Sequence, residues 1–191
     1  MMANIKEQKL LYHLTSLKNL PSILEKGLLA RSELQKFDDV ADPEILIGRE
    51  KLGLEKMVPF HFFSRNPFDG NVQSKNPKTD FILISISRTF AAANEWNIIP
   101  RHPLAGLELK ILSYVAGMEE IDWEVMDRRD YSNAHSKSVC MAECLSPITI
   151  LPNDFFSLFV ANTVVKSTVE KLLVEKGIPM NVNANPRMFL N

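Results

Sequence analysis

Residues 81–87 read "FILISIS". The run carries no charge and holds three isoleucines, whose branched side chains suit a pleated surface, so it reads as a core strand. A core strand needs neighbours. "KLLYHLT" (9–15), "MVPFHFF" (57–63) and "PNDFFSLFVAN" (152–162) each read as a strand. "VCMAECLSPITIL" (139–151) reads as a strand pair or one bent strand.

The rest punctuates these strands. "SLKNLPSILEKGLL" (16–29) reads as a helix with Ser16 as N-cap, Leu17, Leu20, Ile23 and Leu24 at helical spacing, and Gly27 as its stop. "RTFAAANEW" (88–96) reads as helical, as do turns within 107–130 around "EEIDWEVMDRRDY". "STVEKLLVEKG" (167–177) reads as a closing helix, with Ser167 and Glu170 forming a capping box. Loops are expected at "ARSELQKFDDVADPEI" (30–45) and "SRNPFDGNVQSKNPKTD" (64–80), a loop or single turn at "LIGREKLGLEK" (46–56), and a loop or broken strand at "NIIPRHPLAG" (97–106). A helix-rich start followed by strands with helical insertions fits α+β better than regular βαβ winding.

The chain has 191 residues, which suits a single domain over 1–191. Its net charge of -1 supplies no global field for nucleic acid, so a polyanion would need a local basic groove. The only cysteines, Cys140 and Cys144, lie four apart with no second pair or nearby histidine cluster, so no metal site is expected. Two free thiols and no signal peptide suggest a reducing cytoplasm. No apolar segment approaches the length of a membrane span. Neither a P-loop, a Rossmann glycine turn nor a Gly-x-Ser-x-Gly elbow occurs.

Chemistry must therefore come from polar residues set among apolar ones. His13 and Thr15 in "YHLT" share one face of a strand and suit a ligand diol or amide, or else a histidine satisfied by nearby backbone. Arg49 in "GRE" suits a phosphate, or is simply solvated. His61 and Arg65 lie among phenylalanines in "VPFHFFSRNPF", a setting for a planar ring or a strand end in the core. His102 stands between Pro100 and Pro103. Glu143 in "MAECL" alternates with Met141 and Leu145, so it shares a face with apolar residues and favours a partly desolvated site.

The blocks "YHLTSLKNLPSILEKGLL", "VPFHFFSRNPF", "IDWEVMDRRDY" and "MAECL" follow one another in an order that resembles the DarT family. Those proteins are toxin ADP-ribosyltransferases of DarT–DarG toxin–antitoxin systems. The resemblance covers roughly residues 10–176 and leaves 177–191 as a tail. It implies an ADP-ribosyltransferase-like fold with central split or twisted antiparallel-rich sheets and helices packed around them. It also implies NAD as ADP-ribose donor, a thymine or guanine in single-stranded DNA as acceptor, and a macrodomain antitoxin as partner.

By the same resemblance His13, Thr15 and Asn19 would hold NAD, with His61 and Arg65 beside them. Glu143, Arg49 and His102 would be the active-site residues. The chain departs from the family pattern with His61 for a tyrosine, Pro100-Arg101 for Asp-Gly and Met141 for a glutamine. A carboxylate such as Glu143 can bind the ribose 2′-hydroxyl, stabilise positive charge and take a proton from the nucleophile. Lys75, Lys78, Arg128, Arg129 and Lys137, with Phe68 and Tyr131 for stacking, are candidates for a single-strand groove or plain surface residues. Other acceptors (protein, RNA or water) and a binding module without turnover are the alternatives.

Overall fold

The computed structural model describes residues 4–40, 43–103 and 110–190, with the side chains of 43–46 left aside. Expectations for 41–42 and 104–109 lie outside the described residues. The strands are β1 (Leu10–Ser16), β2 (Val58–His61), β3 (Phe81–Ser87), β4 (Asn97–Ile99), β5 (Leu112–Ser113), β6 (Glu143–Ser146), β7 (Ser157–Val160) and β8 (Val182–Ala184). The helices are α1 (Leu20–Lys26), α2 (Pro43–Lys51), α3 (Pro67–Lys75), α4 (Arg88–Ala93), α5 (Tyr114–Glu120), α6 (Trp123–Arg128), α7 (Ala134–Val139) and α8 (Thr163–Lys176).

The strands join in the order β5-β4-β6-β2-β1-β3-β7-β8. All pairings are antiparallel except β7 with β8. This mixed α+β architecture agrees with the fold expected from the sequence. β3 is central as its composition demands, and all but its last residue is buried.

One seam divides the sheet. β1 matches β3 along its whole length, Leu10 with Ser87 through Ser16 with Phe81. On its other side β1 meets β2 through the single pair Tyr12 and His61. Beyond that pair the ladder between the two strands ends, and the His13 side chain meets the Pro59 carbonyl instead. The strands nonetheless form one eight-stranded sheet, antiparallel-rich as expected.

The main core fills one face with Leu11, Phe60, Ile82, Ile84, Ile98, Cys144 and Leu158, closed by Trp96 and Trp123. The other face carries two smaller clusters. Phe81 and Leu83 pack under Val72 of α3 and Phe189, while Leu145 and Ile99 pack under Leu54. Glu143 shares a strand face with Leu145, as alternation predicts, and Cys144 faces the main core. Met141 stands outside β6, in the link from α7, so the alternation does not extend to it.

Local expectations fail where caps outweigh turn-like composition. Residues 64–80 do not form a loop throughout. Asn66 accepts from the Asp69 amide at 2.9 Å and Pro67 opens the first turn, so α3 forms despite Gly70. "LIGREKLGLEK" belongs to α2 and to a 3-10 turn at Leu54–Lys56, which makes a full helix where one turn was expected. The closing helix begins at Thr163, capped by Asn162 on the Val165 amide at 2.9 Å. Ser167 is an interior residue whose hydroxyl donates to the Thr163 carbonyl, so the capping box at Ser167 and Glu170 does not exist.

Ser16 does cap its segment, by way of a 3-10 turn at Leu17–Asn19 before α1. Gly27 ends α1 at a φ of 88°. A Cβ there would lie 2.7 Å from Thr149 Cγ2, so backbone freedom and lack of bulk are both required.

Candidate active site

A cavity of about 500 Å³ opens at the seam. Its wall takes residues from both faces of the sheet. His13 and Thr15 come from one side of β1, Pro59 and His61 from β2, and Glu143 from β6. Arg49 of α2, the first turn of α3 and the segment from Leu34 to Val40 complete it. The size is within the range of small-molecule sites.

Glu143 is held in place by the sheet. It lies opposite His61 on β2 and opposite Ile99 on β4. Only 4% of it is exposed. Arg49 Nη1 donates to both carboxylate oxygens, at 2.6 and 2.7 Å. These are short charge-assisted bonds that fix the carboxylate against the guanidinium. Arg49 Nη2 is buried without a hydrogen-bond partner. The arginine thus spends one arm on Glu143 and leaves the other as an unused donor in the cavity wall.

The histidines are tuned as neutral groups. His13 Nδ1 lies 2.8 Å from the Pro59 carbonyl. A carbonyl only accepts, so Nδ1 carries the proton and Nε2 remains an acceptor. Burial pulls the His13 pKa down to about 4. The same bond ties β1 to β2 where their ladder has ended. His61 donates from Nδ1 to the Ala142 carbonyl at 3.1 Å, and burial lowers its pKa despite Glu143 nearby. Its ring rests against Phe68, with centroids 5.5 Å apart.

His102 follows β4, and its amide donates to the Ser138 carbonyl at 2.9 Å. Burial lowers its pKa, Glu143 raises it, and Arg49 and Lys137 lower it. His102 therefore shares one electrostatic cluster with Glu143 and Arg49, although it does not line the cavity.

Asn19 lines the cavity and also anchors its wall. Its side chain donates to Thr15 Oγ1 at 3.2 Å and to the Asp38 carbonyl at 3.0 Å, and accepts from the Asp38 amide at 2.7 Å. It clamps the 34–40 segment over Thr15. An asparagine in that position anchors a loop as well as facing a ligand.

Arg65, expected beside His61, lies outside the cavity wall. It is exposed at a φ of 58°, and its carbonyl accepts from the Tyr131 hydroxyl at 3.2 Å. Arg129 lies over the Phe63 ring at 4.7 Å, and both arginines act on Tyr131 electrostatically. Arg65, Arg129 and Tyr131 thus form one surface cluster. Lys137 joins the active-site side through His102. Lys75 ends α3, about 9 Å along the helix from Asp69, and Lys78 follows just beyond it; both are exposed. Arg128 is exposed at the end of α6.

Sequence reasoning missed Glu55 and Asp69, both in the cavity wall. Asp69 sits in a stretch that reads as loop, which hides its burial in the first turn of α3. A signal was present in "NPFD", an asparagine N-cap followed by proline and, three residues on, an acid.

The family model described as "ssDNA thymidine ADP-ribosyltransferase, DarT" matches residues 12–190. Among curated proteins, a DNA ADP-ribosyl transferase–DNA ADP-ribosyl glycohydrolase fusion protein from Thermosipho africanus is 26% identical over 195 residues. That alignment takes in 89% of this chain and 47% of the relative, so the chain spans about half the length of the protein it matches. Among solved structures, DarT of Thermus sp. 2.9 with ADP-ribosylated single-stranded DNA superposes with a TM-score of 0.83 at 20% identity, covering 96% of this chain and 97% of that one. The same Thermus protein with NAD+ gives 0.78 at 19% identity, covering 96% and 98%. Thermosipho africanus DarTG with ADP-ribose gives 0.77 at 25% identity, covering 95% and 51%. With a family model matched along nearly its whole length, the chain belongs to the DarT family of single-stranded DNA thymidine ADP-ribosyltransferases.

Proposed function

We propose that this chain transfers ADP-ribose from NAD to a thymine ring nitrogen in single-stranded DNA. The observation that carries the reading is the Glu143 carboxylate, buried at the seam and gripped by Arg49 inside a ligand-sized cavity. Orphaned Arg49 Nη2 and the acceptor Nε2 of His13 suit a donor rich in oxygens and hydroxyls. NAD supplies an ADP-ribosyl group activated by its cationic nicotinamide.

In the reaction the bond from nicotinamide nitrogen to ribose C1′ breaks, and its electron pair leaves with neutral nicotinamide. A bond from the thymine nitrogen to C1′ forms, and the ring nitrogen loses its proton. Glu143 stabilises positive charge at the ribose and accepts that proton. Arg49 holds the carboxylate in position and offers Nη2 to a phosphate or carbonyl oxygen. His13 and Thr15 hold the nicotinamide riboside, and Asn19 keeps the 34–40 segment closed over it. His102, neutral near pH 7, orients the base. The target must be single-stranded because a duplex hides the attacking edge. Arg65, Arg129, Tyr131 and Lys137 form the approach for that strand, with Arg128, Lys75 and Lys78 further out.

A cytoplasmic location accords with two buried free thiols, Cys140 and Cys144. Among the described residues no helix is long and apolar enough to cross a membrane. The Thermosipho relative, a transferase–glycohydrolase fusion, suggests a macrodomain-type antitoxin that reverses the modification.

The test is mass spectrometry of single-stranded oligonucleotides of defined base composition after incubation with NAD. A mass gain confined to thymine-containing strands, and absent with Glu143→Gln, is expected. Modification of guanine-only strands or of added protein in place of thymine would overturn the acceptor.

A further inference from the structure

Among the described residues, five buried side-chain nitrogen or oxygen atoms have no hydrogen-bond partner. They belong to Arg49, Glu55, Asp69, Trp96 and Ser138, and the first three residues line the seam cavity. Buried polar atoms are ordinarily satisfied, so orphans gathered in one wall point to a ligand. Arg49 already has a role. Asp69 does not.

Asp69 sits in the first turn of the nine-residue helix α3 and is 1% exposed. Its neighbours Phe68 and Val72 line the cavity with it. Phe68 lies against His61, and His61 pairs with Glu143, so this turn belongs to the reacting end of the cavity. The Asn66 side chain determines which oxygen is engaged. Asn66 Oδ1 accepts from the Asp69 amide at 2.9 Å and Nδ2 donates to the Phe63 carbonyl at 3.2 Å. With its amide oriented by those two bonds, Asn66 Nδ2 also donates to Asp69 Oδ2 at 2.7 Å. Oδ1 is the atom left over.

We propose that Asp69 is a donor-positioning residue, whose Oδ1–H binds the carboxamide oxygen at the nicotinamide end of NAD. The inference rests on NAD being the donor. Burial raises the Asp69 carboxyl to about 8, so it is protonated at neutral pH. Since Oδ2 accepts from Asn66, the proton resides on Oδ1.

The charged and titratable groups around this turn stay constant between pH 7 and 9. His61 is pulled below its usual value by burial and Tyr131 is pushed up to about 12, so neither titrates in that window. Asp69 is thus the group among them that changes state in that window.

Calorimetric titration of NAD and ADP-ribose into the wild type, Asp69→Asn and Asp69→Leu tests this. Asparagine keeps an N–H facing the cavity and an oxygen for Asn66, so NAD affinity stays within about threefold of wild type. Leucine loses about tenfold or more for NAD and little for ADP-ribose, which lacks the nicotinamide. Wild-type affinity for NAD falls from pH 7 to pH 9, while Asp69→Asn stays level across the same range. This comparison remains decisive even if the leucine variant fails to fold. Equal losses for both ligands, an unaltered leucine variant, or a level wild-type profile would each overturn the proposal. A wild type that binds neither ligand would instead refute the donor assignment itself.

Discussion

Two arginines flank the seam between β1 and β2, Arg88 buried and Arg49 partly so, and they do opposite work. Arg88, on the main-core side, donates to the Leu10, Lys6 and Phe62 carbonyls at 3.2, 2.9 and 3.0 Å. Its guanidinium also lies over the Phe62 and Trp123 rings, at 5.2 and 5.7 Å. Those carbonyls belong to β1, the segment before it and the residue just past β2, so Arg88 pins together two strands that share one ladder pair. Arg49, on the cavity side, faces a carboxylate and leaves Nη2 orphaned. A cation whose donors all meet backbone carbonyls holds the fold. A cation with an unspent arm beside a buried carboxylate is available for chemistry.

The sharpest break in that comparison comes from Glu143→Gln. It keeps the shape and loses the base, so transfer to oligonucleotide should fall about 10³-fold, or about 4 kcal/mol in barrier. The urea midpoint should move little. Arg88→Leu should do the reverse. Three carbonyls lose their donor, and stability should drop by about 3 kcal/mol in urea titration. Loss of activity should follow unfolding and recover where the variant is folded.

The seam itself is testable by pH. His13 has its pKa lowered to about 4 in the fold, against about 6.5 when unfolded. Its contribution is complete above pH 6.5 and is lost as pH falls toward 4, because the unfolded chain binds the proton first. The loss is up to about 3 kcal/mol. Urea midpoints at pH 7 and 4.5 should differ by less in His13→Gln than in the wild type. The smallest expected effect is in the double variant Arg49→Met with Glu143→Leu. Replacing both ions with apolar groups should leave stability within about 1 kcal/mol of wild type, or above it, with transfer abolished. A double variant as unstable as Arg88→Leu would show that the Arg49 pair supports the fold after all.

Much of this was legible in the chain. "FILISIS" demanded a buried central strand, and alternation put Glu143 and Leu145 on one face. Both follow from period-two geometry, which is local. His13 and Thr15 on one side of β1 follow the same rule. The α3 region was misread because two prolines and Gly70 outweighed the asparagine cap at Asn66, and Asp69 was lost with it. Arg65 was grouped with His61 because they are four residues apart. A positive φ at Arg65 turns the chain at that point and leaves its side chain on the surface beside Tyr131.

The sequence by itself determined β1, β2, β3, β6 and β7, the polar residues placed on them, and the order of blocks that marks the DarT family, while the short β5 and β8 carry no strand pattern of their own. It could not determine that β1 and β2 part after one pair, because strand register depends on partners distant in the chain. Nor could it pair Arg49 with Glu143 across 94 residues, or leave one arm of that arginine unspent. Such contacts are decided by how the strands on either side of that interrupted ladder pack around a cavity. That arrangement is set by packing on both faces at once, which no local pattern encodes.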